Sequence, residues 1–206
     1  NTAGDGSGAE GNGGGMYNDL SFPILNNVVF YGNYAYRDGG ALYTYSVNYT
    51  NTRKPVINNT LFLNNQSGNG AGGAVFGYAT SYFFTNCTFA GNQCFLAGCG
   101  GALHNFGNTN SGTTATSQVK NCLFWGNKVS TTNTPSDVFN NTYATSNVTY
   151  SMLLSPPATG GNVASSGSIP FVNTGDPDGA DNIWLTADDG YRLGNCNTLV
   201  IDKGDN

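Results

Sequence analysis

The chain has 206 residues, only 9% of them are charged, and the formal net charge at pH 7 is −5. An acidic balance with so few cations argues against nucleic acid or an anionic membrane surface as a partner. The apolar fraction of 38%, with 13% aromatic residues, is too high for a disordered chain. No run approaches the roughly 18 apolar residues of a membrane-spanning helix, so we expect no membrane insertion.

Two short phrases alternate along the chain. The first joins glycines to a small apolar residue and an aromatic one, and its copies are GGGMY at 13–17, GGALY at 39–43, GGAVF at 72–76, GGALH at 100–104 and the degenerate PSDVF at 135–139. The second places an aromatic residue between two asparagines, and its copies are NVVFYGN at 27–33, NTLFLNN at 59–65, NCTFAGN at 86–92, NCLFWGN at 121–127 and the degenerate NVTYSML at 147–153. Each phrase recurs after roughly 26 to 35 residues, a period typical of stacked coils.

These repeats predict an all-β fold, a right-handed parallel β-helix (solenoid) of about five coils with a C-terminal loop-rich cap. We expect a lead-in or a remnant of a preceding coil at 1–12, β-helix coils at 13–165, and an acidic loop with the C-terminal cap at 166–206. No stretch has a strong helical period, so we expect essentially no α-helix.

The second phrase predicts an inward-facing aromatic column. In a parallel β-helix, equivalent positions lie about 4.8 Å apart in successive coils, so each position must accept its own copy as a neighbour. The aromatic members are Phe30, Phe62, Phe89, Phe124 and Tyr150. Smaller residues two positions earlier share this face by strand alternation, and they are Val28, Thr60, Cys87, Cys122 and Val148.

The closing asparagines of the second phrase predict corners of the coil. Asparagine tolerates the left-handed conformation, and its amide can bond to the same amide above and below. These asparagines are Asn33, Asn65, Asn92 and Asn127. In the first phrase we expect an aliphatic column to face inward and the next column outward. The inward members are Leu42, Val75, Leu103 and Val138, and the outward members are Tyr43, Phe76, His104 and Phe139.

The chain has five cysteines, an odd number that leaves at least one thiol free. Cys94 and Cys99 bracket a four-residue loop, so a local disulfide between them is geometrically easy in an oxidising compartment. Cys87 and Cys122 occupy the same position of successive phrases, and two buried thiols are favoured there over a bond between them.

The glycine–glycine–alanine–aliphatic–aromatic and Phe-x-x-Asn phrases resemble the repeats of the polymorphic outer-membrane protein type. The end, with IPFVNTGDPDGADNIWLTADDGYRL at 169–193 and LVIDKGDN at 199–206, resembles the choice-of-anchor β-helix domains of bacterial surface proteins, especially in the Bacteroidota. It departs from that pattern at NCNTLVIDKG, where Cys196 either pairs or is buried. The resemblance implies a right-handed β-helix, a secreted or cell-surface location and continuity with further domains of a longer adhesin-like chain. It implies no assigned reaction.

The acidic loop near the end is a candidate calcium site. Its carboxylates are Asp176, Asp178, Asp181, Asp188 and Asp189. A D-x-D-G-x-D run resembles the opening of calcium loops, in which alternate oxygens converge on one cation. The usual glutamate at the twelfth position is absent, and Asp188 lies at about that distance. A bound calcium ion would be structural; the alternative is a solvated acidic turn with Trp184 packing over the last coil.

Elsewhere the sequence favours a structural or adhesive role. Between residues 13 and 165 the acids are Asp19, Asp38 and Asp137, and none shares a coil position with another, whereas lyases and hydrolases need gathered carboxylates. We therefore expect no enzyme, but an extracellular module that binds a glycan or a surface protein, with outward aromatic rings stacking on sugars. The candidate rings are Tyr43, Phe76 and Trp125. The alternative is a carbohydrate-active enzyme, a polysaccharide lyase or glycosidase, on the same scaffold.

Overall fold

The computed structural model describes residues 1–4, 11–47, 54–108, 114–165 and 170–194. These ranges contain strands and turns but no helix, and so no helix that could cross a membrane. The strands are β1 (Thr2–Ala3), β2 (Met16–Asp19), β3 (Ile24–Asn26), β4 (Val29–Tyr31), β5 (Tyr34–Ala35), β6 (Leu42–Tyr45), β7 (Val56–Asn58), β8 (Leu61–Leu63), β9 (Gln66–Ser67), β10 (Val75–Tyr78), β11 (Phe83–Thr85), β12 (Thr88–Ala90), β13 (Gln93–Cys94), β14 (Leu103–Phe106), β15 (Ala115–Lys120), β16 (Leu123–Trp125), β17 (Lys128–Val129), β18 (Thr134–Pro135), β19 (Val138–Asn140), β20 (Ala144–Thr149), β21 (Met152–Leu153) and β22 (Val163–Ala164).

The strands form four sheets, and from β2 to β17 each pass of the chain adds one strand to every sheet. Sheet I contains β2, β6, β10, β14 and β19, and sheet II contains β3, β7, β11, β15 and β20. Sheet III contains β4, β8, β12, β16, β21 and β22, and sheet IV contains β1, β5, β9, β13, β17 and β18. Pairing is parallel throughout except between β17 and β18. The predicted all-β fold of stacked parallel strands is therefore confirmed, and its arrangement is that of a β-helix solenoid.

Left-handed residues turn the chain at the corners of each coil. The opening asparagine of the second phrase has a positive φ in four copies, at Asn27, Asn59, Asn86 and Asn121. A second set immediately precedes the closing asparagines and comprises Gly32, Asn64, Gly91 and Gly126. The prediction that the closing asparagines themselves adopt this conformation is wrong, because their side chains are used inside the coil and the preceding residue makes the bend.

The paired glycines of the first phrase are required for two different reasons. Gly72 has φ +67°, which a residue with a side chain rarely adopts. Gly73 follows it, and a Cβ there would collide with the carbonyl oxygen of Gly101 in the next coil. The pair therefore bends the backbone and lets successive coils approach closely.

The closing asparagines form a buried hydrogen-bonded ladder. The backbone N and Nδ2 of Asn33 both donate to Oδ1 of Asn65, at 3.0 and 2.9 Å. Asn65 donates in the same way to Asn92, at 3.0 Å for both bonds, and Asn92 to Asn127, at 3.1 and 2.9 Å. The other Nδ2 proton binds a carbonyl of the preceding coil, as from Asn92 to Phe62 O at 2.9 Å. This confirms the predicted bonding along the stack.

The core is an aromatic column along the axis. Phe30, Phe62, Phe89 and Phe124 stack in register, with ring centroids 5.1, 4.7 and 4.7 Å apart and planes within 5° of parallel. Each of the two central rings is fully buried. Burial of one phenylalanine contributes about 1.5–3 kcal/mol, so this column is a main source of stability. The aliphatic column of the first phrase also faces this core, as predicted.

The two core columns predicted from the second phrase are wrong at their fifth members, Tyr150 and Val148. Tyr150 is 39% exposed and left-handed (φ 49°), in the corner position that Asn121 has one coil earlier. Met152 pairs with Leu123, which places the buried Leu153 beside Phe124. Val148 pairs with Val119 in sheet II rather than following Cys122. In the degenerate last phrase, the hydrophobic side chains set a register three residues later than the alignment of the two phrases predicts.

Residues 170–194 lie along the side of the solenoid, against the outer face of sheet III. Phe171, Tyr191 and Trp184 pack with the outward side chains of that sheet. The Asn64 amide donates to the Tyr191 hydroxyl at 3.4 Å, and the Trp184 ring lies 5.2 Å from that of Tyr31. Trp184 therefore does not pack over the last coil, because the apolar outer face of sheet III attracts this segment instead. The predicted C-terminal cap spans residues 166–206, and the part of it that the structure describes, residues 170–194, covers a side of the solenoid.

Replacing a ladder asparagine should destabilise the whole solenoid. Asn92→Ala removes the acceptor of two bonds from Asn65 and leaves buried donors unpaired, at about 1–3 kcal/mol for each such group. We expect a loss of at least about 3 kcal/mol in urea unfolding followed by circular dichroism. The matched control is Asn58→Ala, whose side-chain amide bonds to Asn26 at the surface and which should cost less than about 0.5 kcal/mol. Equal losses would contradict the ladder's role.

Candidate functional site

The outer face of sheet I carries two stacked aromatic columns, and the second consists of Tyr45, Tyr78 and Phe106. In the first, Tyr43 and Phe76 stack with ring centroids 5.5 Å apart, and His104 lies 5.2 Å beyond Phe76. Tyr43 is 7% exposed and Phe76 5% exposed. The prediction that these two rings are available to a sugar is therefore wrong, because the neighbouring rings and the Cys94–Cys99 segment cover them in a second apolar cluster.

His104 is a packed member of that column. Its Nδ1 accepts a hydrogen bond from the backbone N of Gly100 at 3.4 Å, and its ring contacts Phe76 and Phe139. Burial lowers the pKa of His104 to about 4, because a charged imidazole is poorly solvated between aromatic rings. The side chain is neutral at physiological pH, and its surroundings are those of a structural residue.

Trp125, the third candidate ring, lines a cavity of about 310 Å3 at the corner between sheets III and IV. The cavity is mainly apolar, with Trp125, Pro135 and Leu154 on its walls. The full lining comprises Phe124, Trp125, Gly126, Asn127, Lys128, Asn133, Pro135, Asp137, Leu154 and Ser165. A concave apolar site with a few polar groups is the usual form of a small-ligand site, and its volume is at the lower end of the range of about 300–1,000 Å3. We call it the Trp125 cavity.

The polar groups of the Trp125 cavity are held in place by hydrogen bonds. Lys128 Nζ donates to Asn133 Oδ1 at 3.0 Å. Asp137 accepts from Asn127 Nδ2 at 3.0 Å through Oδ1 and from the backbone N of Leu154 at 2.8 Å through Oδ2. Burial raises the pKa of the Asp137 carboxyl, and these two hydrogen bonds oppose the shift. The cavity therefore offers an aromatic face, an ammonium group and an amide to a ligand.

Sequence reasoning did not identify Asp137, Lys128 and Asn133 as site residues. A usable signal was present in the degenerate first phrase PSDVF, where Asp137 takes the position that Ala74 and Ala102 have in earlier copies. A carboxylate in a buried small-residue position needs partners. It finds one in Asn127, so the asparagine ladder ends on Asp137 at the wall of the cavity.

The cysteines separate into one disulfide and two buried thiols. Cys94 and Cys99 form the predicted disulfide, with their Cα atoms 6.4 Å apart. Cys87 and Cys122 are free and buried, and the backbone N of Cys87 donates to Sγ of Cys122 at 3.4 Å. Burial raises the pKa of the Cys122 thiol well above its usual value, so it remains protonated. Cys196 lies outside the described residues.

The two thiol positions border a second cavity, of about 210 Å3, between the solenoid and residues 170–194. Its walls include Tyr150, Met152, Val163, Phe171 and Tyr191. This lining is largely apolar and belongs to the contact that holds the segment against sheet III.

The carboxylates of the acidic loop bind groups of the loop itself. Asp189 accepts backbone N–H groups from Leu185 at 2.7 Å and Thr186 at 3.2 Å, and Asp188 accepts from Asp181 at 3.2 Å. The Thr186 hydroxyl lies within 3.0 Å of both Asp188 and Asp189, and its hydrogen bond lowers the pKa of the Asp188 carboxyl.

Among the residues that the structure describes, which include Asp176, Asp178, Asp181, Asp188 and Asp189, no three acidic, histidine or cysteine side chains are arranged to hold an ion. Calcium binding by this loop stays a prediction.

Comparisons with known proteins find likenesses at the level of the repeat. Residues 27–45, which span NVVFYGN and GGALY, match the Chlamydia polymorphic membrane protein repeat. Over 92 residues, 44% of this chain, the sequence is 30% identical to the probable autotransporter YfaL of Escherichia coli (strain K12), and the match covers 7% of that protein. No solved structure matches. The likenesses indicate a surface or secreted bacterial protein with β-helix-like repeats.

The pKa of His104 predicts a specific loss of stability in acid. Because the folded-state value of about 4 lies below the ordinary 6.5, the unfolded chain binds the proton more readily, and stability falls as the pH drops from 6.5 to 4. The loss is about 2–3 kcal/mol. His104→Phe keeps the stack and removes the titration, so its Tm, measured by circular dichroism against pH, should fall less than that of the wild type. Parallel curves for the two proteins would contradict the burial of this imidazole.

The calcium prediction is tested by thermal unfolding at increasing calcium concentration. A bound ion stabilises the folded state by mass action, so millimolar calcium should raise the Tm, and Asp188→Asn should remove the effect. Asp19→Asn changes an exposed acid outside the loop and is the matched control. An unchanged Tm in the wild type would reject the site and leave a hydrogen-bonded acidic turn.

Proposed function

We propose that the chain is an adhesive module of a larger bacterial surface protein and that its Trp125 cavity binds a sugar ring of a glycan. The observation that carries the proposal is the aromatic wall of this cavity beside two fixed polar groups. Sugar rings present a C–H face that packs on an indole and hydroxyl groups that accept from an ammonium or pair with an amide. Trp125 would supply the face, and Lys128 and Asn133 the polar contacts.

The scaffold suits such a role. Each coil is fixed to the next by backbone bonds, and the asparagine ladder also joins the coils from Asn33 to Asn127. The solenoid is therefore a rigid support for a site on its surface. We take its coils to be right-handed, as parallel crossovers generally are, and about five in number. The likenesses to the Chlamydia repeat and to an autotransporter support a location on or outside the bacterial surface.

Further domains are part of the proposal. The matched autotransporter is far longer than the aligned region, and the end of the chain resembles choice-of-anchor domains. The module would accordingly be continuous with other parts of a longer chain that attach it to the cell. A surface protein is the second class of partner that this arrangement allows.

We do not favour the alternative, a polysaccharide lyase or glycosidase. Glycosidases generally use two carboxyl groups on either side of the bond that breaks. In the described lining of the Trp125 cavity, Asp137 is the single carboxylate, and both its oxygens accept hydrogen bonds from the protein. Elsewhere, Asp38 accepts from the backbone N of Ala71 at 2.7 Å, so this carboxylate bonds to the backbone of the next coil.

A glycan array with wild type and Trp125→Ala tests the proposal. Removing the indole should weaken binding of the recognised glycan by about tenfold, the upper range for one aromatic contact. Trp184→Ala is the matched control, because that indole is also half-buried but lies against Tyr31 of β4, the strand at the far end of sheet III. Absence of any glycan binding, or equal binding by both variants, would contradict the assignment, and release of reducing sugar would favour the enzyme.

A further inference from the structure

The Trp125 cavity has a lysine at a position that is neutral in the two preceding coils. Lys128 begins β17 and pairs in parallel register with Gln93 of β13, which in turn pairs with Gln66 of β9. The wall of the cavity therefore carries a positive charge where those coils carry an amide. Because glutamine is compatible with this position of the sheet, the stacking of the coils does not require the lysine.

The ammonium group of Lys128 is hydrogen-bonded to an amide and not to a carboxylate. Its Nζ donates to Asn133 Oδ1 at 3.0 Å, across the hairpin that joins β17 to the antiparallel β18. In the parts of the chain that the structure describes, no acidic side chain forms an ion pair with Lys128. An ammonium group has three protons, so two remain for solvent or a ligand.

The carboxylate in the cavity wall does not neutralise this cation by direct contact. Asp137 accepts from Asn127 Nδ2 at 3.0 Å through Oδ1 and from the backbone N of Leu154 at 2.8 Å through Oδ2. In the described lining, Lys128 and Asp137 are the two charged side chains. The negative one is hydrogen-bonded through both oxygens, whereas the positive one has no anionic partner there. The cavity is therefore prepared for an anionic group and not for a second cation.

We infer that the sugar residue bound in the Trp125 cavity carries a carboxylate, as a uronic acid or a nonulosonic acid does. This inference rests on the proposed function and adds the chemical class of the sugar. The carboxylate accepts from Lys128 Nζ and from Asn133 Nδ2, while the C–H face of the ring packs on Trp125. A charge-assisted hydrogen bond is roughly twice as strong as a neutral one, and a neutral sugar offers the ammonium only hydroxyl groups.

A glycan array tests the inference with the whole chain when each uronate- or nonulosonate-bearing glycan is printed beside its neutral, carboxyl-reduced counterpart. The wild type should bind the acidic members at least about tenfold more tightly than their counterparts, and added salt should weaken this binding because the contact is ionic. Lys128→Gln introduces the residue found at this position in β9 and β13. The fold should therefore be retained, and the preference for acidic members should be lost.

A second variant separates the position of the lysine from its availability. Asn133→Asp keeps Lys128 but places a carboxylate beside its ammonium, so acidic glycans should bind about as weakly as they do to Lys128→Gln. The matched control is Lys54→Gln, which removes one positive charge at a site where the ammonium lies 5.1 Å from the centroid of the Phe83 ring. This control should bind as the wild type does.

The outcomes distinguish the class of sugar from the cavity itself. Equal binding of acidic glycans and their neutral counterparts, lost in Trp125→Ala and retained in Lys128→Gln, would overturn the inference and leave the proposed function in place. Acidic glycans bound equally well by the wild type and Lys128→Gln would also overturn it, as would a preference for sulfated over carboxylated glycans. Absence of binding to any glycan would overturn both.

Discussion

The structure depends on one constraint, the stacking of equivalent side chains in successive coils. Each side chain at a repeated position lies about one strand spacing from its own copy, so it must satisfy that copy in shape and in hydrogen bonding. Phenylalanine does so by offset stacking along the axis. Asparagine does so because it both donates and accepts, and the ladder from Asn33 to Asn127 uses both properties in every coil.

The candidate site lies where this repetition ends. Asp137 stands where earlier copies have alanine, and a carboxylate can accept from Asn127 but cannot pass a donor on to a further coil. The ladder therefore stops at this residue. The antiparallel β18 follows the same corner and contributes Pro135 to the wall. A rigid repeat thus provides the support, and its irregular end provides a concave surface on which Trp125 is displayed.

The regular part of the fold could be predicted from the sequence because residues that repeat in the sequence occupy equivalent positions in successive coils. Phe62, Phe89 and the ladder asparagines were identifiable in that way, whereas the Cys94–Cys99 pair was identifiable from the short loop between the two cysteines. Tyr150 was not, because a degenerate copy has too few matching letters to fix its register. The burial of Tyr43 and Phe76 depends on what packs over sheet I. The position of Trp184 depends on which outer face of the solenoid is apolar. Neither is encoded in a repeat, and the same holds for the polar groups around Trp125.

Hydrogen exchange of the side-chain amides, followed by NMR, tests the central claim most directly, because the ladder requires the NH2 groups of Asn65 and Asn92 to be buried and bonded in every molecule. We predict that they exchange as slowly as the backbone amides of the core strands β8 and β12, whereas the surface amide of Asn58 exchanges rapidly. Exchange of Asn65 and Asn92 at the rate of Asn58 would contradict the ladder and, with it, the stacked arrangement of the coils.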